Sequence, residues 1–288
     1  MTWCTRFAIP ALLLSIGAQA QAVPLSVNLA VTADDSNGRG IDADAALSPN
    51  EHFTLNASAG YSEGSKDTGD LRGTLFGAGA SFHGDRGGIS LNYDRFDDSS
   101  NYTAATIGAR AWIDAGDFEI ALLGRRRDMS VNLTLQLPLR LVTRDVDFSA
   151  VGAGLQVSYT GDNFSAYAMA LKYDYDDDFN NFLDLADSPL LDRRPRIEAL
   201  LGSFLTQAQG AIDRQAGAGV ERSFGRNSLA LDFSTVHDAV LDGSSSSIAL
   251  SFRRTQTAHL DWSVSAGMVD SEAYGDIAFA GFSVGLAN

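Results

Sequence analysis

The sequence has only one cysteine, Cys4, in its 288 residues. This residue lies within the first 22 residues, which have the features of a secretory signal, so the mature chain would contain no cysteine. Such a chain has no disulfide framework, no zinc-cysteine site and no thiol nucleophile. Cys4 also precedes the apolar part of the signal, which is not the position of a lipid-anchor cysteine.

Long apolar runs are missing as well. After the N-terminal segment there is no run of about 18 apolar residues, which excludes membrane helices. Proline is scarce at 6 residues and glycine is frequent at 28, a balance that suits strands and turns. A hydrophobic share of 45% and a mean hydropathy of −0.04 still permit a membrane barrel, because its strands need apolar residues only at alternate positions.

Positive charge is in deficit: 21 Lys and Arg face 36 Asp and Glu, for a formal net charge of −15. Removal of a signal that contains Arg6 would lower the charge by one more unit. An acidic balance of this size argues against nucleic acid as a partner.

The N-terminal segment 1–22 is predicted to be a signal peptide. Arg6 supplies the charged start, 7–16 the apolar core, and small residues allow cleavage after Ala20 or Ala22. The remainder, 23–288, is predicted to form a single transmembrane β-barrel domain.

The segment from Arg72 to Arg127 shows the pattern most clearly. It contains four consecutive stretches of about ten residues in which apolar side chains alternate with small or polar ones. Side chains on a strand point to opposite faces in turn, so each stretch has one apolar face and one polar face. Tight Gly/Asp turns alternate with Asp/Ser loops between the stretches, which predicts an antiparallel meander with two unlike ends.

Extending this interpretation along the chain predicts an all-β, antiparallel up-and-down barrel of about fourteen strands, with twelve or sixteen left open. Short links alternate with longer, acidic ones, which gives an even strand number and places both termini at the short-turn end. The predicted strands are 25–33, 40–48, 52–61, 72–82, 88–96, 102–113, 117–126, 146–159, 163–173, 214–224, 228–237, 246–254, 259–269 and 275–286.

Two segments need separate interpretations. The alternating residues from Val131 to Leu141 are predicted to form an outer hairpin that extends beyond the membrane, because counting them as one spanning strand would break the parity. Apolar residues at helical spacing between Pro189 and Arg214 predict one helical segment in the longest outer link, where it would lie over the mouth of the barrel or fold into it.

Aromatic residues cluster at both predicted membrane boundaries, as expected for aromatic girdles. Phe53, Phe82, Phe118, Tyr159, Phe164 and Phe224 lie near short turns, and Tyr61, Tyr93, Tyr102, Tyr173 and Tyr274 lie near the opposite strand ends.

The predicted inward face carries charged residues that would be costly against lipid, at about 2–4 kcal/mol each near the midplane. They are candidates for lining a pore, in which small neighbours leave a wide bore and the charges set ion preference. Alternatively, opposed pairs such as Glu119 with Arg110 fill a narrow barrel as structural ion pairs. The candidates are Asp42, Asp44, Asp94, Arg110, Glu119, Arg125, Lys172, Glu221, Asp232, Arg253 and Asp261.

Three other clusters are weaker candidates. The aspartates between Asp174 and Asp187 are read as a solvated acidic loop and not a metal site, because an EF-hand loop would need Gly at Phe179 and Glu at Leu185. His237, beside Asp238 and with Asp97 and Asp98 at another strand end, is the only candidate for a rim hydrolase. Arginines cluster at 125–127 and 193–196, where they would hold lipopolysaccharide phosphates, attract anions or offset nearby aspartates.

This pattern resembles Gram-negative outer-membrane β-barrel proteins and, in size and strand number, monomeric porins of about fourteen strands. The resemblance covers nearly all of 23–288 and rests on pattern, not on a motif. It implies passive diffusion of ions or small solutes through a water-filled lumen, without enzymatic activity or cofactor. The expected partners are outer-membrane lipid and lipopolysaccharide, the barrel assembly machinery, and small solutes or ions, with the protein a monomer in the outer membrane.

Two alternatives stay open: an outer-membrane enzyme with a rim site near His237, and a closed structural or adhesive barrel. The sequence also departs from the resemblance at its end, where Gly285-Leu286-Ala287-Asn288 replaces the usual terminal Phe or Trp, and Phe282 is the nearest aromatic residue.

Overall fold

The structure, a computed structural model, describes residues 24–35, 38–66, 69–98, 102–137, 140–176, 212–239, 243–272 and 275–288. In these ranges no helix is long and apolar enough to cross a membrane. The regular structure of the described residues is all β-strand, as predicted.

Fourteen strands lie within the described residues, which confirms the predicted number. They are β1 (Leu25–Asp34), β2 (Arg39–Asn50), β3 (Phe53–Lys66), β4 (Gly69–Gly84), β5 (Gly87–Asp98), β6 (Tyr102–Ala115), β7 (Phe118–Leu137), β8 (Arg140–Thr160), β9 (Phe164–Tyr175), β10 (Ile212–Phe224), β11 (Asn227–Asp238), β12 (Ser244–Thr257), β13 (Leu260–Ser271) and β14 (Gly275–Ala287). Each strand pairs antiparallel with the next, and β14 returns to β1 to close the barrel.

The two ends of the barrel differ as predicted. At the short-turn end, where both termini lie, tight connections such as Gly116-Asp117 and Gly225-Arg226 join the strands. Gly116 and Gly225 have φ values of 67° and 65°, a left-handed backbone that side chains with a Cβ rarely adopt. The other end, here called the long-loop end, carries the link between β9 and β10.

Strands at the long-loop end are longer than predicted. β3 and β4 pair to Lys66↔Gly69, and β7 and β8 pair to Leu137↔Arg140, so their links shrink to two residues. The predicted outer hairpin around Val131–Leu141 is therefore a continuation of β7 and β8. Because about 9–11 residues suffice to span a membrane, strands of 20 and 21 residues must project beyond it.

The predicted helix over Pro189–Arg214 lies mostly outside the described residues. Its last three residues, 212–214, instead begin β10.

Closure of the sheet depends on the C-terminal strand. β14 pairs with β1 from Ser26↔Ala287 to Asp34↔Phe279, and the Asn288 side-chain oxygen accepts a hydrogen bond of 2.6 Å from the Leu25 amide. Phe282 lies within this ladder, opposite Val31. The final strand therefore leaves no free sheet edge between β1 and β14, although it lacks a terminal aromatic residue.

The two faces of the sheet have opposite environments. One face bears large apolar side chains that remain exposed, such as Leu122 at 66% and Leu91 at 56%. The other face bears the buried residues, with Tyr102 at 0% and Phe148 at 3%. The buried face must be the interior of the closed barrel, so the exposed apolar face surrounds it. An apolar outer surface of this kind suits lipid and not water.

Aromatic residues follow the predicted girdle at the short-turn end. The Phe118 and Tyr159 rings lie 5.1 Å apart, the Tyr159 and Phe164 rings 6.2 Å apart, and Phe82 is opposite Phe53. At the long-loop end the prediction was partly wrong: Tyr61 and Tyr93 are exposed, whereas Tyr102 and Tyr173 are buried inside the barrel. Tyr274 lies outside the described residues.

Leu91 and its neighbour Asn92 test the assignment of the two faces. Leu91→Arg places a charge against lipid near the middle of β5. It should lower the free energy of unfolding in phospholipid bilayers by about 2–4 kcal/mol. Asn92→Arg places the same charge inside the barrel, two residues from Asp94, and should cost much less. Urea titration followed by the heat-modifiable gel shift measures both. Equal losses for the two variants would contradict the assignment.

Candidate functional site in the barrel lumen

The strand register places all but one of the predicted inward residues on the interior face. The pairs Asp44↔Ser58, Ser58↔Gly77 and Gly77↔Asp94 run across β2 to β5 on one face, and Gly108↔Arg125 continues that face into β7. The same register, followed around the barrel, gives the interior set Asp42, Asp44, Asp94, Arg110, Glu119, Arg125, Glu221, Asp232, Arg253 and Asp261.

Lys172 is the exception, and its predicted inward position is wrong. It is opposite Ala153 on β8 and Arg214 on β10, both on the outer face. The error arose because the larger apolar residues of β9 were assigned to lipid. In the structure Leu171 and Tyr173 are instead buried inside the barrel, so the polarity of this strand is inverted.

Glycines next to several aspartates let the carboxylates lie against the wall. A Cβ added at Gly60 would come within 2.5 Å of the Asp42 Oδ1, and one at Gly77 within 2.6 Å of the Asp94 Oδ1. The same relation links Gly285 with Asp261, at 2.8 Å. Because each carboxylate occupies the space that a neighbouring side chain would need, these positions line the interior without filling its centre.

Other interior charges are paired. Arg110 donates a hydrogen bond to Glu119 and stacks its guanidinium over Trp112, 4.6 Å from the ring centroid. Arg253 forms a two-point contact with Asp261, with Nη2–Oδ2 at 2.8 Å and Nε–Oδ1 at 3.2 Å. Planar guanidinium–carboxylate pairs of this kind fix side-chain position as well as charge. The predicted pairing of Glu119 with Arg110 is present.

Neutral donors bind some of the remaining carboxylates. Asn92 Nδ2 donates to Asp94 Oδ2 at 2.6 Å, and the Tyr167 hydroxyl donates to Asp232 Oδ1 at 2.9 Å. Hydrogen bonds from neutral groups hold a carboxylate in place but leave its negative charge uncompensated. Asp42 and Asp44 add two more carboxylates on one strand, so the interior wall is acidic away from the arginines.

A packed apolar cluster covers one interior wall toward the long-loop end, and the sequence interpretation missed it. Its members come from β6 to β9 and are Tyr102, Ala104, Met129, Phe148, Ala150, Leu171 and Tyr173. The missed signal is that β9 is apolar on both faces, from Ala168 to Leu171. The lumen is therefore not lined only by small and charged residues.

Three consecutive arginines alternate between the faces beside this cluster. Arg125 points inward, with its Nη1 3.4 Å from the Tyr173 hydroxyl, and Arg126 points outward, with its Nε 3.3 Å from Asp128. Arg127 is again interior and only 4% exposed. The run is thus not one basic patch. Residues 193–196, the other predicted arginine cluster, lie outside the described residues.

Asp176, in the described part of the acidic loop, and His237 each lie beside polar partners. Asp176 accepts hydrogen bonds from the Ser149 amide and hydroxyl, and the described residues contain no metal-binding group of His, Cys, Asp or Glu. The remaining aspartates, 177–187, lie outside them. The acid near His237 is Asp213, at 4.0 Å; Asp238 is buried, and Asp97 on β5 is bound to Arg95.

The comparisons agree with this geometry. No model of a known protein family and no curated protein sequence matches the chain. Solved structures do match the chain. CymD, a monoaromatic hydrocarbon channel, has a TM-score of 0.54 at 8% identity, and the match covers 94% of this chain and 89% of CymD. OmpT, an outer membrane protein of Vibrio cholerae, has a TM-score of 0.50 at 8% identity over 92% of this chain and 96% of OmpT. The Acinetobacter baumannii outer membrane protein Omp33 has a TM-score of 0.50 at 10% identity over 92% of this chain and 97% of Omp33.

At these identities the likeness shows the fold alone. The chain has the fold of an outer-membrane β-barrel: fourteen antiparallel strands, closed, with an apolar exterior. Its interior combines an acidic wall, two defined arginine–carboxylate pairs and an apolar cluster.

Phe148 tests whether the apolar cluster stabilises the barrel. Phe148→Ala removes a buried ring and should lower the unfolding free energy by about 3–5 kcal/mol, whereas Phe148→Leu, which retains more volume, should lose less. Urea denaturation in detergent micelles, followed by tryptophan fluorescence, measures both variants. Wild-type stability in Phe148→Ala would show that the cluster is not packed.

Proposed function

We propose that the protein is an outer-membrane channel for passive diffusion of ions or small solutes, with preference for cations. The observation that carries the proposal is the acidic interior wall, where carboxylates lie in the space beside neighbouring glycines. A ring of carboxylates along an aqueous path attracts cations and repels anions.

The interior charges of this set favour a cation over an anion. Seven acids, among them Asp42, Asp44 and Glu221, stand against four interior arginines, which are 110, 125, 253 and the buried 127. Arg110 and Arg253 are each bound to an acid, so their charge is largely compensated locally. Burying such charges would be costly, and exposure to water in a lumen avoids that cost.

The apolar cluster gives one wall of the path a different character. Its residues narrow the lumen from the β6–β9 side toward the long-loop end, so the proposed path runs along the acidic strands β2, β5, β10 and β11. This arrangement favours small solutes over large ones. A closed structural barrel would need the acidic wall to be packed in the same way as this cluster.

The enzyme alternative near His237 has less support. A hydrolase needs a base, an orienting group and a nucleophile within hydrogen-bond reach. Around His237 the structure places Asp213 at 4.0 Å, and Asp97, one of the predicted partners, is bound to Arg95.

The selectivity proposal is testable with the double variant Asp42→Asn and Asp44→Asn. In water, a unit charge about 8 Å from a permeating ion contributes about 0.5 kcal/mol. Removing two takes away about 1 kcal/mol of attraction for a cation, so the cation-to-anion permeability ratio should fall about fivefold or more. Reversal potentials in planar bilayers under a salt gradient, at low ionic strength to limit screening, measure the ratio.

Asp128→Asn is the matched control, because this acid lies on the outer face and is bound to Arg126. It should leave selectivity unchanged. Correctly folded wild-type protein that gives no conductance would overturn the channel proposal, and conductance without cation preference would overturn the role of the acidic wall.

We also propose that the chain reaches the outer membrane after its predicted signal is cleaved behind Ala20 or Ala22. The position of β1 supports this, since cleavage after Ala22 leaves only Val23 and Pro24 before the strand begins at Leu25. Intact mass measurement of protein from outer-membrane fractions should give a chain that starts at Gln21 or Val23. A mass that includes residues 1–22 would contradict the proposal.

A further inference from the structure

A groove lies on the outer, lipid-facing surface between β8 and β12, near the long-loop end. It has a volume of about 530 Å³, and its lining includes Ala153, Ala170, Ala216, Lys172, Arg214 and His237. All six lie on the face opposite the interior residues, as the pairs Ala153↔Lys172, Arg214↔Lys172 and Arg214↔His237 show.

Small residues on adjacent strands create the depression. Ala153, Ala170 and Ala216 have no side chain beyond Cβ, whereas bulkier outward residues such as Leu155, Val220 and Phe233 surround them. The floor of the groove is therefore apolar, and it is open to whatever surrounds the barrel. In a membrane, the molecules at this surface are lipids.

Two cations line the upper part of the groove, and the exposed Asp174 lies two residues beyond Lys172 on the same face. Lys172 and Arg214 are directly opposite each other on β9 and β10, and both are exposed. Like charges that face each other across two strands repel and destabilise the pair, and a nearby anion removes that cost. Asp213 lies 3.7 Å from Arg214 and 4.0 Å from His237, so it offsets part of the positive charge but leaves Lys172 without compensation from this acid.

The height of these cations matches a lipid headgroup. β9 begins at the short-turn girdle with Phe164, and a rise of about 3.3 Å per residue on a strand tilted by about 40° places Lys172 roughly 20 Å above it. The apolar band of such a barrel is about 25 Å tall. Lys172 and Arg214 therefore lie close to the outer boundary of the hydrocarbon, with the alanine floor below them.

We propose that this groove binds a phosphorylated lipid of the outer leaflet. Its phosphate contacts Lys172 and Arg214, whose guanidinium can bind phosphate oxygens in a two-point contact. One acyl chain lies along Ala153, Ala170 and Ala216. The proposal rests on the outer-membrane location proposed above, but not on conduction through the lumen.

Native mass spectrometry of the folded protein in detergent tests the proposal, with lipid A as the probe. Wild-type protein should retain one lipid A at low excess. The double variant Lys172→Gln and Arg214→Gln should bind it at least tenfold more weakly, since two phosphate contacts are lost. Ala170→Phe keeps both charges but fills the floor, and it should weaken binding to a similar extent.

The matched control is the double variant Arg72→Gln and Arg95→Gln. It removes the same number of positive charges from the outer face at the long-loop end, but neither residue lines the groove. Binding of lipid A should be unchanged in it. The heat-modifiable gel shift confirms that every variant is folded before binding is measured.

Three results would overturn the proposal. Equal binding of lipid A by wild type and the Lys172/Arg214 variant would show that these cations do not hold the phosphate. Displacement of lipid A by millimolar inorganic phosphate would indicate a site for the free anion. Equal retention of diacylglycerol, which has no phosphate, would indicate an apolar groove without headgroup recognition. None of these outcomes depends on conductance, so they are distinguishable from failure of the channel proposal.

Discussion

Closure of the backbone hydrogen-bond ladder is the constraint on which this structure depends. Lipid offers no partners for backbone amide and carbonyl groups, so a strand can cross a membrane only when both of its edges are paired. The chain meets this requirement by returning β14 to β1, with Asn288 bound to the amide of Leu25. Closure gives the sheet an outer and an inner face. The two ends of the barrel differ because tight turns and longer links alternate along the chain.

In the closed sheet, alternate residues of each strand face two different environments, one outside the barrel and one inside it. Many outward positions are apolar, and charged residues such as Arg126, Asp128, Lys172 and Arg214 lie on the outer face toward the long-loop end. Inward positions divide into an acidic wall on β2, β5, β10 and β11 and an apolar cluster on β6 to β9. The strands with inward aspartates also have inward glycines beside them, so the carboxylates lie flat. Inward carboxylates and inward glycines therefore occur together on one side of the interior, which is where the proposed cation path runs.

Much of this was predictable, because alternation is a local property. Strand number, parity of the ends, the girdle at the short turns and the Arg110–Glu119 pair all follow from residues read a few positions apart. Two of the failures have one physical cause. The rule that larger apolar residues face lipid is wrong on β9, where Leu171 and Tyr173 pack against Phe148 inside the barrel. The predictions for Lys172 and Tyr173 are wrong for that reason. Tyr102 lies on β6, where its nearness to the strand end did not reveal that it faces inward.

By itself the sequence determined the class of fold, since a period of two and the spacing of turns require no knowledge of distant neighbours. The tertiary structure decided which strands are apolar on the inside, because that depends on which residues meet across the closed sheet. It also decided that Lys172 and Arg214 stand opposite each other over an alanine floor. These residues are far apart in the chain, and only the pairing of β9 with β10 brings their charges together.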